Sequence, residues 1–236
     1  MIDTDNGIVL HVTKYKENQL ICSVLTLKNG VLNLAYTQKN GIGRRLLQPS
    51  YSIEFSYSAS SHLLASFKQI QIHQPFHTLS THPIKNIIVL FVLEIMHKCW
   101  KDGSPNATVY YWFLRYLTIL DNESNNKLIA NGLLTFLVQF LDLMGIFPDL
   151  KSYTPTTIYF SILEGIFVST YTEAVLTADE SLLLKNCLQD TQNNWCIHPY
   201  TNNERGMLIH YLLVFYKVHL EHLKEIKSYD ILRELL

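Results

Sequence analysis

The chain predicts a two-part α+β protein: a five-stranded β-barrel, then an all-α helical domain with a short β-hairpin insertion. Three observations predict it. Apolar residues alternate from Gly7 to His73, with turn signals every eight to fifteen residues; after His82-Pro83 the period becomes helical; and the charge balance changes sign near residue 80. The 236 residues are 48% hydrophobic and 17% charged, with nine glycines and seven prolines, too apolar for disorder and too mixed for a fibre. The predicted domains are residues 1–80 and 81–236.

Strands are predicted at roughly 7–13, 19–27, 31–37, 50–58 and 62–73. In the first, Ile8, Leu10 and Val12 share a face opposed by His11 and Thr13. Asn29-Gly30 predicts a tight hairpin between the second and third. The fourth is clearest, with Tyr51, Ile53, Phe55 and Tyr57 on one side and Ser50, Ser52, Glu54, Ser56 and Ser58 on the other. That parity assigns the three aromatic residues to the core rather than to base stacking. In the fifth strand the apolar parity switches between Phe67 and Ile70, which predicts a bulge near Lys68 and Gln69. Five short strands in this order fit an OB-fold, a barrel that binds oligonucleotides or oligosaccharides through one face and the loops between strands 1–2 and 4–5.

Helices are predicted at 84–100, 106–121, 126–146, 178–189, 203–223 and 229–235. Their apolar stripes are Tyr110, Phe113, Leu114 and Leu117; Leu133, Leu137, Phe140 and Leu141; and Leu208, Tyr211, Leu212, Phe215 and Val218. Between 147 and 178 the helical period stops at Pro148, Pro155 and Gly165 amid Thr, Tyr and Ile, which predicts a short hairpin.

The net charge of −1 is the sum of two unlike parts. Up to residue 80 there are seven bases and four acids; beyond it there are twelve bases and sixteen acids. Two of the early acids, Asp3 and Asp5, sit in an end expected to fray, so residues 6–80 read as +5. The cations gather in places suited to a phosphate track. Lys14-Tyr15-Lys16-Glu17 reads as the first loop, with base and aromatic interleaved. Gln38-Lys39-Asn40-Gly41-Ile42-Gly43-Arg44-Arg45 reads as a glycine-flexed connection, where Lys39, Arg44 and Arg45 are the cations. Flexible backbone lets the chain approach, and guanidinium groups pair bidentately with phosphate oxygens. Lys68 adds a further cation, and Tyr15, between two lysines, is the candidate for base stacking.

Other chemistries find no residue set. Cys22, Cys99, Cys187 and Cys196 never fall within four residues of one another, so there is neither a zinc ribbon nor a disulfide framework. His73, His77 and His82, and the pair His219 and His222, lack accompanying carboxylates or cysteines, so no cofactor is expected. No GxSxG, HExxH, GxxxxGK[ST] or GxGxxG is present, and Gly41-Ile-Gly43 is too short for a dinucleotide loop, which predicts a protein that is not an enzyme. The longest apolar run, 87–93, is seven residues, and the first residues carry acid where a signal peptide carries base. A cytoplasmic, nucleoid-associated protein without a membrane partner is expected.

The order of parts resembles the RecO family of bacterial recombination mediators. The resemblance runs through Gly7-Ile-Val-Leu10, Lys14-Tyr15-Lys16-Glu17, Gly30-Val-Leu and Leu47-Gln48-Pro49, where it is firmest. It continues in Leu143-Met-Gly-Ile-Phe-Pro148-Asp149-Leu150, in Leu163-x-Gly165-x-Phe167, and in Leu223-Lys224 with Leu232-Arg-Glu-Leu235. It implies a DNA repair protein that binds single- and double-stranded DNA and anneals complementary strands. It also implies engagement of the acidic tail of single-strand-binding protein and, with RecR, help in loading RecA. Lys217, Lys224 and Lys227 are candidates for the charged rim of a site for that tail. The chain departs from the family pattern in three ways: no cysteine lies between Ile146 and Asn186, where many members carry four zinc ligands; the basic loop is thinner; and Lys16 replaces the glycine after the tyrosine. The alternative expectation is a protein-interaction adaptor of the repair machinery with weak or no DNA binding.

Overall fold

A computed structural model of the chain describes residues 2–37, 42–58, 64–100, 105–172, 174–220, 223, 226 and 228. By contact, the chain divides into two compact units, residues 1–122 and 123–236.

In the first unit, strands β1 (Ile2–Lys16), β2 (Gln19–Thr26), β3 (Gly30–Thr37), β4 (Ser52–Ser58) and β5 (Ser66–Gln74) close a barrel in the order β1-β2-β3-β5-β4, the OB-fold topology. β1 is long enough to serve two neighbours. Ile2 to Ile8 pair with β4, and Gly7 to Lys16 pair with β2. A parallel pairing, Ala35 with Ser66, completes the ring. Val9, Cys22, Val24, Leu34, Leu47, Ile53, Phe55 and Tyr57 fill its interior. Burial pushes the Cys22 thiol up to about 12. Gly7 is required by close approach: a Cβ there would stand 2.3 Å from Val24 Cγ1.

Several expectations change here. The first residues do not fray but form β1's pairing with β4. Asp5 is buried, and its carboxylate accepts the backbone N–H of Asn6 (2.8 Å) and of Lys28 (3.2 Å) and the side-chain amide of Asn29 (2.9 Å), thereby satisfying donors at the β2–β3 turn. With Asp3 and Asp5 ordered, the cationic excess of the first eighty residues is +3 rather than +5. Ile8, Leu10 and Val12 do not share a face, because a register shift between Val9 and His11 breaks the alternation. Val9 and Val12 face the barrel core, while Ile8 and Leu10 are buried outside that cluster, on the strand that packs against α2 (Pro83–Cys99). The β2–β3 hairpin has three loop residues between the paired Thr26 and Gly30, and Gly30 takes the left-handed conformation (φ 67°). The predicted bulge in β5 is present: Ser56 pairs with Gln69 and Tyr57 with Phe67, leaving Lys68 as the extra residue.

The unit is completed by α1 (Ile42–Leu46) between β3 and β4, by α2, and by α3 (Ala107–Asn122). α2 starts at Pro83 with His82 as its N-cap. α3 buries Tyr110, Phe113 and Leu117, with Leu114 only half-buried.

In the second unit α4 (Asn126–Leu143) is buried on nearly every side from Ile129 to Val138, as a central helix must be, and α5 (Ala178–Thr191) and α6 (Asn202–His219) pack on it. α4 ends three residues before the expected 146 and α6 ends at 219, not 223; the expected helix at 229–235 lies outside the described residues. Asn125 caps α4, while Thr177 with Glu180 and Thr201 with Glu204 form capping boxes at α5 and α6. The stripe of α6 is wider than predicted on one side and narrower on the other: Ile209, Leu213 and Tyr216 are buried, whereas Tyr211 is half-buried and Val218 exposed. Tyr211 instead donates its hydroxyl to Glu180, which holds that carboxyl below its usual range. The predicted hairpin is β6 (Tyr159–Ser161) with β7 (Ile166–Val168), following a 3-10 turn at Leu150–Ser152. Arg205 is buried, giving Nε to Asn131 Oδ1 (3.2 Å), one Nη to Asn202 Oδ1 (3.0 Å) and the other to Tyr200 O (3.2 Å).

Candidate nucleic-acid interface

The register sets the strand ends that carry Lys14 and Lys16 (β1) and Lys68 (β5) toward one end of the barrel, with β2 and β3 between them. Lys16 pairs with Gln19, Gln19 with Thr37, and Ala35 with Ser66, so the end of β1, the start of β2, the end of β3 and the start of β5 follow one another around the barrel. Lys14, Tyr15 and Lys16 are strand residues, not the loop expected, and the turn itself is only Glu17-Asn18. Between the pairs Lys14–Leu20 and Lys16–Gln19 the ladder skips Tyr15. That irregularity re-aims the side chain, and the ring is 61% exposed with Lys16 Nζ 5.4 Å from its centroid.

Lys68 is exposed for the same physical reason, as the extra residue of the β5 bulge. Arg44 and Arg45 are exposed in the last turn of α1, a helix where a glycine-flexed loop was expected. Leu47, buried in the barrel core, anchors the chain just beyond them, and α1 packs against β5. Lys39 lies outside the described residues. Among the described residues, none of Lys14, Lys16, Arg44, Arg45 and Lys68 has a carboxylate partner. Solvated cations of this kind can attract phosphates, and the exposed Tyr15 ring, with Lys16 beside it, can stack a base.

The other candidates have structural partners. Phe55 and Tyr57 are core, and Tyr51 packs half-buried against the same cluster. His77 donates its backbone N–H to Asp121, His82 caps α2, and His219 Nε2 lies 2.8 Å from Ile162 O. Among the described residues no three His, Cys, Asp or Glu side chains gather as a metal site, and no helix is long and apolar enough to cross a membrane. Lys217 is exposed at the end of α6; Lys224, Lys227 and His222 lie outside the described residues.

Sequence reasoning missed the groups that hold the barrel's exit. Asp121 at the end of α3 accepts the backbone N–H groups of His77, Thr78 and Leu79, and buried Lys85 donates to Thr78 Oγ1 and Asp121 O, both at 2.7 Å. Burial works against the Asp121 charge, but these hydrogen bonds outweigh it and hold the carboxyl below its usual range. Nothing local marks Asp121; the donors to its carboxylate are more than forty residues away.

A closed five-stranded barrel of this strand order, followed by a helical domain, defines an OB-fold protein. Comparison with known sequences narrows it. The family profile described as "Recombination protein O N terminal" matches residues 1–76, and that described as "Recombination protein O C terminal" matches residues 81–229. The chain belongs to the RecO family of DNA repair proteins. It is 30% identical to the DNA repair protein RecO of Flavobacterium johnsoniae and 28% identical to that of Flavobacterium psychrophilum, covering 97% of each and 97% of itself. It is 25% identical to the RecO protein of Phocaeicola vulgatus over its whole length and 99% of that protein.

Proposed function

We propose that this chain is a non-enzymatic recombination mediator that binds single- and double-stranded DNA by its phosphates and anneals complementary strands. With RecR and the tail of single-strand-binding protein, it helps load RecA in the cytoplasm, at the nucleoid. The observation that carries the DNA reading is that Lys14, Lys16, Arg44, Arg45 and Lys68 of the barrel unit are exposed without carboxylate partners and that Tyr15 is exposed with Lys16 beside it. Lys39 belongs to the same basic segment of the sequence. Annealing follows from the same groups, because screening both backbones lowers the repulsion that opposes pairing. Phosphate contacts carry no base information, so the binding is sequence-tolerant. No metal or organic cofactor takes part in this reading.

The test is fluorescence-monitored annealing and binding of oligonucleotides across a salt series, with and without single-strand-binding protein. Neutralising about five phosphates gives a single-strand salt slope of about −3.5, a fall of about a hundredfold between 50 and 200 mM salt. A flat salt response sinks the proposal. Capture of single-strand-binding protein without DNA binding would favour the adaptor reading instead.

A further inference from the structure

We propose that a cavity at the start of β4 and the end of β5 holds one unpaired nucleobase of single-stranded DNA. This rests on the DNA-binding reading above and adds a second subsite, at the other end of β5 from Lys68. The cavity measures about 200 Å³. That is below the roughly 300–1,000 Å³ of sites for drug-sized ligands, and suits a single ring system.

Its lining defines the ligand. No charged side chain contributes, so neither a phosphate nor a metal ion finds a partner inside. Tyr51 and Phe76 supply aromatic surface, and buried Leu79 is apolar. Tyr51 packs against the barrel core and also lines the cavity, so one residue has a structural and a ligand-facing side. The polar groups are neutral: Ser50, Ser80 and Gln74. Gln74 gives its Nε2 to Thr118 Oγ1 at 2.8 Å, which orients the amide and leaves Oε1 to accept from an amino or imino N–H. Aromatic surface with a fixed acceptor and hydroxyls matches the π-face and hydrogen-bonding edge of a base.

The cavity is also pre-organised. Ser50 is the one non-glycine among the described residues in the left-handed region (φ 73°), and it is held there by its N–H on Val9 O (2.8 Å). Asp121 pins His77 to Leu79 on the opposite rim. In the chain, α1 with Arg44 and Arg45 leads into Ser50 and Tyr51 of the lining. No Asp or Glu lines the cavity; the neighbouring carboxylates are occupied, Asp121 by the rim backbone and Glu54 by the Gln71 amide (2.7 Å).

The experiment measures binding of the full chain to a single-stranded oligonucleotide and to an all-abasic strand of equal length, for the wild type, Ile72→Trp, Ser80→Trp and Gln74→Leu. Ile72 and Ser80 are exposed lining residues, so Trp there fills the cavity from the rim without entering the core. Circular dichroism verifies folding, and two independent blocking variants guard against loss of either one. The expected result is a loss of roughly tenfold on the base-bearing strand for each blocking variant, a smaller loss for Gln74→Leu, and no change on the abasic strand or in the salt slope. Equal losses on both strands, or no loss on either, overturn the subsite. A wild type that binds neither strand overturns the DNA reading itself.

Discussion

The backbone N–H of Thr78 reaches Asp121 Oδ1 at 2.7 Å, and the Thr78 hydroxyl reaches the same oxygen at 2.9 Å, so one carboxylate on α3 fixes the chain as it leaves the barrel. Asp121→Ala leaves three backbone donors without that acceptor and is expected to cost about 3 kcal/mol in urea unfolding. The pH dependence follows from the lowered carboxyl. Its stabilisation is fully present above the unfolded aspartate value near 3.8 and is lost as pH falls through the lower folded value. Asp121→Asn is therefore less stable at neutral pH and loses less stability on acidification, read from unfolding midpoints between about pH 2 and 5.

Gly7 admits no side chain while Val24 stands opposite. Gly7→Ala is expected to destabilise by about 2 kcal/mol, with partial rescue by Val24→Ala in the double variant, because the clash is with the Val24 Cγ1 methyl. Additive losses in the double-mutant cycle would refute that account.

Asn131 joins three segments of the second unit: its amide donates to Cys196 O and His198 O at 3.1 and 2.8 Å, and its carbonyl accepts from Arg205 Nε. Asn131→Ala strips a neutral acceptor from a buried guanidinium and is expected to cost about 3 kcal/mol. Calorimetry of the full chain checks this, since the loss belongs to the transition that melts α4 and α6.

On the proposed DNA-binding reading, Arg44→Ala with Arg45→Ala removes two phosphate contacts. The single-strand salt slope should fall from about −3.5 to about −2, and affinity should drop about equally for all sequences. Unequal losses among homopolymers would show that these arginines read bases.

Tyr15→Ala tests stacking apart from charge. Single-strand affinity should fall roughly tenfold with the salt slope unchanged, while duplex binding, where bases are already stacked, should hardly move. Equal losses on both substrates would reassign the ring to packing.

Much of the barrel was legible because a half-buried strand writes its exposure into alternate residues. The β5 bulge was readable from the parity switch around Lys68, and Phe55 and Tyr57 were placed in the core by sharing a face with Ile53. β1 misled for the same reason: Ile8 and Leu10 are buried on the side that faces away from the barrel core, so both parities are apolar and the pattern no longer identifies the inner face. α1 was hidden because five residues with glycine among them carry no helical period. Tyr15 stood out by composition, but its outward aim depends on a ladder irregularity visible only in the pairing.

The sequence by itself determined the five strands, most of the helices, the charge contrast between the two parts and the identity of nearly every candidate cation. These are properties of local periodicity and composition, which short windows of chain express. Only the tertiary structure decided that Asp5 is a buried hydrogen-bond acceptor, that Ser50 is held at positive φ beside a cavity, and that Asp121 locks residues 77–79. Each of these depends on barrel closure or on partners far away in sequence, and the free energy that orders them arises from those contacts rather than from any preference of the residues concerned.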